Sequence, residues 1–403
     1  MNFLTSLAII LLSSLLLGSI FVKIKLPPLI GMLIVGLVLG PHLLNLIAPS
    51  ILVISPDLRQ LALIIILTRA GLSLNISDLR KVGRPAILMC FIPATFEICG
   101  YMLFGTLLLK LPLLDAAILG TVLAAVSPAV VVPRMLRLQN EGFGVNKGIP
   151  QMITAGASCD DVFVIVIFTA LLAMATGGSF NFHIIWRIPT SIILGVGVGC
   201  LFGFLFALFF KRVHMRDTIK IIILLSFSFL FVALEELIGD YVPFSGLLAV
   251  ISLGVMLNFK APVRAQRLSV KYSKMWIFAE ILLFVLVGAE VNFEYVGSSG
   301  LMIIAVMFLA LIFRVFGVFA CLIRTNLNAK ERIFCAIAYL PKATVQAAIG
   351  AIPFTIGLSS GQIILTCAVL AILITAPLGA LATDMSYKKL LTKSLTDNDI
   401  TNK

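Results

Sequence analysis

The sequence predicts an all-α, polytopic membrane protein of about thirteen transmembrane helices, built as an inverted 5+5 repeat with two crossed, unwound helices. Three observations carry this. Apolar residues make up 61% of the 403 positions and charged ones only 12%, with mean hydropathy +1.15. A water-soluble chain cannot hide that much apolar surface. The charges that exist fall into short loops with a strict side preference. Matching motifs recur in the two halves, each with a proline inside a span.

Charges and turn residues divide the chain into spans at 3–22, 28–44, 58–75, 85–109, 115–136, 148–175, 184–210, 218–238, 244–258, 272–291, 297–323, 331–355 and 359–382. The first resembles a signal peptide, but it lacks a basic leader and Lys23 and Lys25 follow it, so it reads as a retained span. Of the 30 Lys and Arg, 24 lie in the C-terminal tail or in, or within three residues of, the loops after odd-numbered spans. Arg59, Lys110 and Arg187 fall in, or within three residues of, the loops after even-numbered spans; Arg69, Arg314 and Lys342 fall deeper inside spans. The positive-inside rule then expects the N-terminus outside, the C-terminus in the cytoplasm and the protein in the cell membrane. The same pattern explains the net charge of +12 without nucleic acid as a partner. Seven cysteines in apolar segments, with no CxxC spacing, read as small core residues. No cofactor motif or ATP-binding motif is expected to power the protein.

Pro28-Leu-Ile-Gly31 opens the second span and Pro243-Phe-Ser-Gly246 the ninth. Gly71-Leu-Ser-Leu-Asn75 and Gly288-Ala-Glu-Val-Asn292 follow at similar distances. The offset is seven spans, an odd number, so the halves enter the membrane from opposite sides, as in secondary transporters. The organisation is then an extra span (1–25), a first repeat (26–175, core spans 85–175) and linker spans (176–240). A second repeat (241–383, core spans 297–383) and a cytoplasmic tail (384–403) follow.

Symmetry also selects residues. Twenty-six positions beyond Gly71 lies Glu97, and 26 beyond Gly288 lies Arg314, each the lone charge in mid-span. Inverted mates approach one another, so Glu97 and Arg314 are expected to form a buried ion pair. Ser127-Pro128 and Pro341-Lys342 sit mid-span in the two halves. An interior proline removes an intrahelical hydrogen bond and clashes with the preceding turn, so both helices should break there. Broken helices offer backbone groups to ions, and Ser127 and Lys342 add polar atoms. Lys342 is suited to offset the carbonyl-end dipole of a half-helix.

Asp160 and Asp161 stand in the apolar sixth span, where a charge costs at least ~2.5 kcal/mol. Such residues are by default a proton or cation site. The corresponding stretch of the second half, around Thr375, has no acid, so one site per chain is expected. An aspartyl protease is excluded because consecutive aspartates diverge by about 100° on a helix. A sodium-coupled organic-anion transporter would want basic residues rather than two acids. A channel or receptor would not need paired inverted breaks. Glu280 has no evident partner, and Glu235, Glu236 and Asp240 read as a solvated acidic rim.

With these motifs in view, Ser127-Pro-Ala-Val-Val-Val-Pro133, Ser158-Cys-Asp-Asp161 and Leu340-Pro-Lys-Ala-Thr-Val-Gln346 resemble the Nha-type sodium/proton antiporters of the second cation/proton antiporter group. The NHA subgroup is the nearest. The resemblance spans Leu26 to about Ala382. It implies a dimerising panel domain, hence a homodimer in the bilayer, and a mobile core domain. It implies that Asp161 is the main ligand for Na+ (or Li+) and H+, assisted by Asp160, with backbone ligands at Val126 and Ala157. Exchange would be driven by ion gradients rather than by an enzymatic reaction. Arg314 takes the place where electrogenic relatives carry lysine, which bears on charge stoichiometry; with Asp161 alone titrating, exchange is expected to be electroneutral, and K+/H+ antiport is the alternative in ion choice.

Overall fold

The computed structural model describes residues 2–74, 83–176, 182–238, 241–291 and 293–393, with backbone alone for 182–188 and 293–299. The described residues are helical, in the order α1 (Phe3–Lys23), α2 (Pro28–Leu39), α3 (Pro49–Val53), α4 (Ser55–Ser73), α5 (Arg84–Met89) and α6 (Ile92–Leu108). Then come α7 (Leu113–Ala124), α8 (Pro128–Glu141), α9 (Ile149–Thr176), α10 (Phe182–Arg212), α11 (Asp217–Ile238) and α12 (Gly246–Lys260). The chain continues with α13 (Pro262–Ala289), α14 (Phe293–Cys321), α15 (Ala329–Ala338), α16 (Thr344–Ile349), α17 (Ile352–Thr355) and α18 (Gly361–Leu390).

Among the described residues nine helical stretches are long and apolar enough to cross a membrane, and the chain is a multi-pass membrane protein. Four of the thirteen expected spans are not among the nine. The second and ninth are the short α2 and α12, of 12 and 15 residues. At 1.5 Å per residue these extend only about 18 and 22 Å. The third, α4, carries Asp57, Arg59 and Arg69. The twelfth is broken into α15, α16 and α17. Arg59, expected in a loop, is a buried residue inside α4. Asn75, Asn292 and Asp240 lie outside the described residues.

Contacts sort the chain into two compact units. The first draws on Met1–Val53, Ser77–Val164 and Phe284–Lys403, the second on Ile54–Ile76 and Ile165–Leu283. In the second, α12 packs against α4, α10 and α11. Glu235, expected on a solvated rim, accepts the Gly246 N–H at 2.9 Å and so caps the start of α12. Glu280 also has a neighbour that the sequence did not suggest: it interacts electrostatically with Arg69 of α4.

In the first unit α6 and α14 pack antiparallel. A Cβ on Gly100 would lie 3.0 Å from the Ala310 Cα, and one on Gly317 would lie 2.7 Å from the Pro93 Cα. Both pairs sum to the same total, the signature of helices running in opposite directions. Each glycine stands three residues after the span's charge, Glu97 or Arg314, so close backbone approach and buried charges share one helix face.

The last helix runs beyond its expected span, 359–382. α18 runs through Asp384 to Leu390, and Thr392 accepts the Gly144 N–H at 3.0 Å. Asp384 pairs with Arg137 at 2.9 Å and with Arg134 at 3.3 Å, which ties the end of α18 to α8.

Gly317→Ala should push α14 off α6 and destabilise the protein by roughly 1–3 kcal/mol, the usual cost of overpacking. Thermal unfolding in detergent checks this; Gly100→Ala, with 3.0 Å rather than 2.7 Å available, should lower the midpoint less.

Candidate functional site

The site forms where both proline-bearing spans come apart. α7 ends at Ala124; Ala125 is extended (φ −66°, ψ 140°), Ser127 likewise (φ −84°, ψ 109°), and α8 starts at Pro128. Pro128 has no N–H to continue the ladder and is at home in a first helical turn. In the second half α15 ends at Ala338 and α16 begins only at Thr344, across Pro341 and Lys342. The two interruptions touch: the Ser127 N–H donates to the Pro341 carbonyl at 2.8 Å.

The exposed peptide groups are then taken up in pseudo-symmetric fashion. Val126 N–H donates to Asp160 Oδ2 at 2.8 Å, 34 residues on. Lys342 N–H donates to Thr375 Oγ1 at 2.9 Å, 33 residues on. Thr375 thus does for the second break what Asp160 does for the first, with a neutral hydroxyl in place of a carboxylate.

The carbonyl ends are held by cations and an amide. Arg314 Nη1 and Lys342 Nζ both donate to the Ala124 carbonyl, the latter at 3.2 Å. Arg314 Nε donates to the Tyr339 carbonyl at 2.5 Å, and its guanidinium lies 5.1 Å over the Tyr339 ring. Gln346 Nε2 donates to the carbonyls of Ala125 at 2.9 Å and Leu123 at 3.4 Å.

The same two cations knit the carboxylates together. Glu97 Oε2 lies 2.7 Å from Arg314 Nη1 and 2.6 Å from Lys342 Nζ. Arg314 Nη2 lies 3.0 Å from Asp160 Oδ2. The arrangement is larger than the Glu97–Arg314 pair considered from sequence: Lys342 joins it at one end and Asp160 at the other. Asp160 is therefore engaged by a guanidinium and an amide. For Asp161, 7% exposed on α9, no ion pair occurs among the described residues. Its Oδ1, like Asp160 Oδ1, Glu97 Oε1 and Ser127 Oγ, is buried without a hydrogen-bond partner. Buried oxygens left open in this way are what a bare cation or a proton requires.

Val126 and Ala157 are both fully buried. Val126 belongs to the extended break. Ala157 lies within α9, three and four residues before the aspartates, where the helix ladder already occupies its carbonyl. Gln346 and Thr375 were not singled out as site residues from sequence. Gln346 lies in an apolar run, and the one clue to Thr375 was its place in the repeat.

Two interrupted helices meeting at buried carboxylates define a secondary-active transporter of the inverted-repeat kind. A family model described as "Sodium/hydrogen exchanger, transmembrane" matches residues 8–385. Sodium/hydrogen exchanger 9B2 of Mus musculus is 33% identical over 398 residues, covering 94% of this chain and 72% of that protein. The Homo sapiens 9B2 is 34% identical over 384 residues, covering 91% and 70%. The solved sodium proton antiporter MjNhaP1 from Methanocaldococcus jannaschii shares the fold, with TM-score 0.83 at 22% identity over 96% of this chain and 98% of that one. The chain belongs to the transmembrane sodium/hydrogen exchanger family.

Removing one partner from such a network strands buried charge. Glu97→Gln should cost on the order of 3–5 kcal/mol, read as a fall in melting temperature. Combining it with Lys342→Met should cost less than the sum of the single changes. Strictly additive losses would show that Glu97 and Lys342 do not support one another.

Proposed function

We propose that this protein exchanges Na+ (or Li+) for H+ by alternating access, with Asp161 as the carboxylate that trades one for the other. The observation that carries the reading is the charge count of the buried cluster. Glu97 pairs with Arg314 and Lys342, Asp160 pairs with Arg314, and the buried Asp161 adjoins Asp160 in the chain. With all five ionised the cluster bears one net negative charge; a proton or a sodium ion on Asp161 brings it to zero. Burial in a weakly polar medium makes uncompensated charge expensive. The neutral forms are therefore the ones able to pass between outward- and inward-facing states.

Ser127 Oγ, Asp160 Oδ1 and the Val126 carbonyl are the further oxygens assigned to the cation, and the Ala157 carbonyl, bonded within α9, would join them through its second lone pair. Asp160, gripped by Arg314 and the Val126 N–H, orients the site while Asp161 exchanges its occupant. Pro128, Pro341 and Lys342 maintain the breaks. Membership of the exchanger family supports Na+ and H+ as the pair. The loop charges support a cell-membrane protein with its N-terminus outside and C-terminus in the cytoplasm. The resemblance seen in the sequence supports a homodimer, with the core spans 85–175 and 297–383 as the moving part.

One carboxylate without a basic partner also supports one H+ per Na+, hence electroneutral exchange. Arg314 cannot supply a second proton, because a guanidinium stays charged.

Asp161→Asn keeps the volume and removes the anionic ligand, so in proteoliposomes it should abolish Na+-driven proton movement without unfolding the protein. Asp160→Asn should impair exchange and also stability, since Arg314 loses a partner. Sodium-dependent exchange at the wild-type rate in Asp161→Asn would overturn the assignment, and a series with Na+, Li+ and K+ ranks the ions. For the wild type, the exchange rate should be indifferent to a valinomycin-clamped potential. A rate that follows the imposed voltage would refute the electroneutral cycle.

A further inference from the structure

We propose that Gln346 is a positioning residue for the cation site, holding the Ala125–Val126 peptide from the side opposite Asp160. In that place it sets the affinity for the transported cation and the discrimination between Na+ and Li+. The inference rests on the assignment of Asp160, Asp161 and Val126 to the cation site.

The argument starts from peptide geometry. In a trans peptide the C=O and the following N–H point in opposite directions. The N–H of this unit goes to Asp160 Oδ2 at 2.8 Å and its carbonyl to Gln346 Nε2 at 2.9 Å. Gln346 and Asp160 therefore clamp a single peptide plane from its two sides. The same amide reaches the Leu123 carbonyl at 3.4 Å. Leu123 and Ala124 close α7, so their carbonyls have lost the N–H groups of a next turn, and the Ala124 carbonyl is taken by Arg314 and Lys342. The unwound stretch is thus pinned on both faces.

The four peptide groups of the two crossing units are not held alike. The Pro341 carbonyl takes the Ser127 N–H, a backbone contact. Val126 and Lys342 N–H groups go to side chains of the helices that follow their own breaks, Asp160 and Thr375. The Ala125 carbonyl alone among these groups is held by a side chain from the opposite repeat, Gln346. Its amide orientation is fixed chemically. Turned over, its oxygen would face two carbonyls, acceptor against acceptor. Gln346 is fully buried and its Oε1 has no partner. Burying a half-used amide is costly, and a methionine or leucine would fill the space without that cost. The hydrogen bonds to the end of α7 and to the break are what the amide adds.

A peptide held at one end can pivot about the other. Without Gln346 the Ala125–Val126 unit would hang from Asp160 alone, and the direction of the adjoining Val126 carbonyl would relax. A loosened site binds its ion more weakly and tells a small ion from a larger one less sharply. It does not remove the exchanging carboxylate, so turnover at saturating ion should persist.

The test uses the full-length protein in proteoliposomes, with Gln346→Met, which keeps the volume and removes the donor. The expected result is a KM for Na+ raised roughly tenfold, the usual scale for one lost buried hydrogen bond. Vmax should stay within about twofold, and the ratio of Li+ to Na+ KM should change. The Na+ concentration needed to raise the melting temperature of the purified protein should rise by a similar factor. A lower Vmax or yield with KM, ion ratio and Na+-induced stabilisation all unchanged would reduce Gln346 to a packing role and overturn the inference. Should Gln346→Met not fold, Gln346→Asn, which retains the amide but shortens its reach, must show the same rise in KM; a wild-type KM there also overturns it. Asp161→Asn run in parallel separates the two levels. Exchange persisting in Asp161→Asn removes the site itself. An inert Asp161→Asn beside Gln346 variants of unchanged KM removes this inference alone.

Discussion

An interrupted backbone inside a bilayer has no water to satisfy it, and every peptide group freed by the interruption needs a partner from the protein. That constraint organises the centre of this molecule. Pro128 and Pro341 end two helices in mid-span, and the freed groups are met one by one: Val126 by Asp160, Lys342 by Thr375, Ser127 by Pro341, Ala125 by Gln346. The carbonyls of Ala124 and Tyr339 draw in Arg314 and Lys342. Those cations in turn require carboxylates, which Glu97 and Asp160 provide. The buried charges follow from the broken helices, and the proposed cation site follows from the charges.

The identity of the basic residue matters to this arrangement. Arg314 uses three nitrogens on four groups that lie in different directions: the Tyr339 and Ala124 carbonyls, Glu97 and Asp160. A planar guanidinium presents its donors as a fork and remains charged when buried. An ammonium at the same place would offer one nitrogen and could not span all four. Lys342 needs to reach only Glu97 and Ala124, which converge on a single point, and there a lysine suffices. The network consequently divides into a part held together by Arg314, whose guanidinium keeps its charge, and one carboxylate, Asp161, outside it.

Much of this was legible in the sequence, and the limits of legibility have physical reasons. Proline chemistry marked both helix breaks, because a missing N–H acts locally. The repeat pointed to Glu97 and Arg314, since lone charges at symmetry-related places have few alternatives. Lys342 was noticed at its break, but its bond to Glu97, 245 residues away, depends on packing that no local pattern encodes. Arg314 appeared satisfied by Glu97, so its second carboxylate, Asp160, was not anticipated. Gln346 is hidden by its neighbours: in the apolar run Val345 to Ile349 one amide looks incidental. Glu235 was read as solvated from its acidic company, whereas helix α12 begins beside it and needs an N-terminal acceptor.

The repeat itself bears on why a single site is proposed. The two breaks are treated alike down to the spacing of their N–H acceptors, 34 residues in one half and 33 in the other. A hydroxyl suffices to cap a peptide, as Thr375 demonstrates, so capping alone does not call for an acid at 160. What the acid adds is charge, placed beside a second carboxylate that nothing else neutralises. Had the second half carried a matching pair, the cluster would hold two cations against five carboxylates, and no single ion could bring it to neutrality. The duplicated scaffold brings two interrupted spans together near one point; with the aspartates confined to one copy, the fully ionised cluster bears one net negative charge, which is what the proposed exchange of a single ion requires.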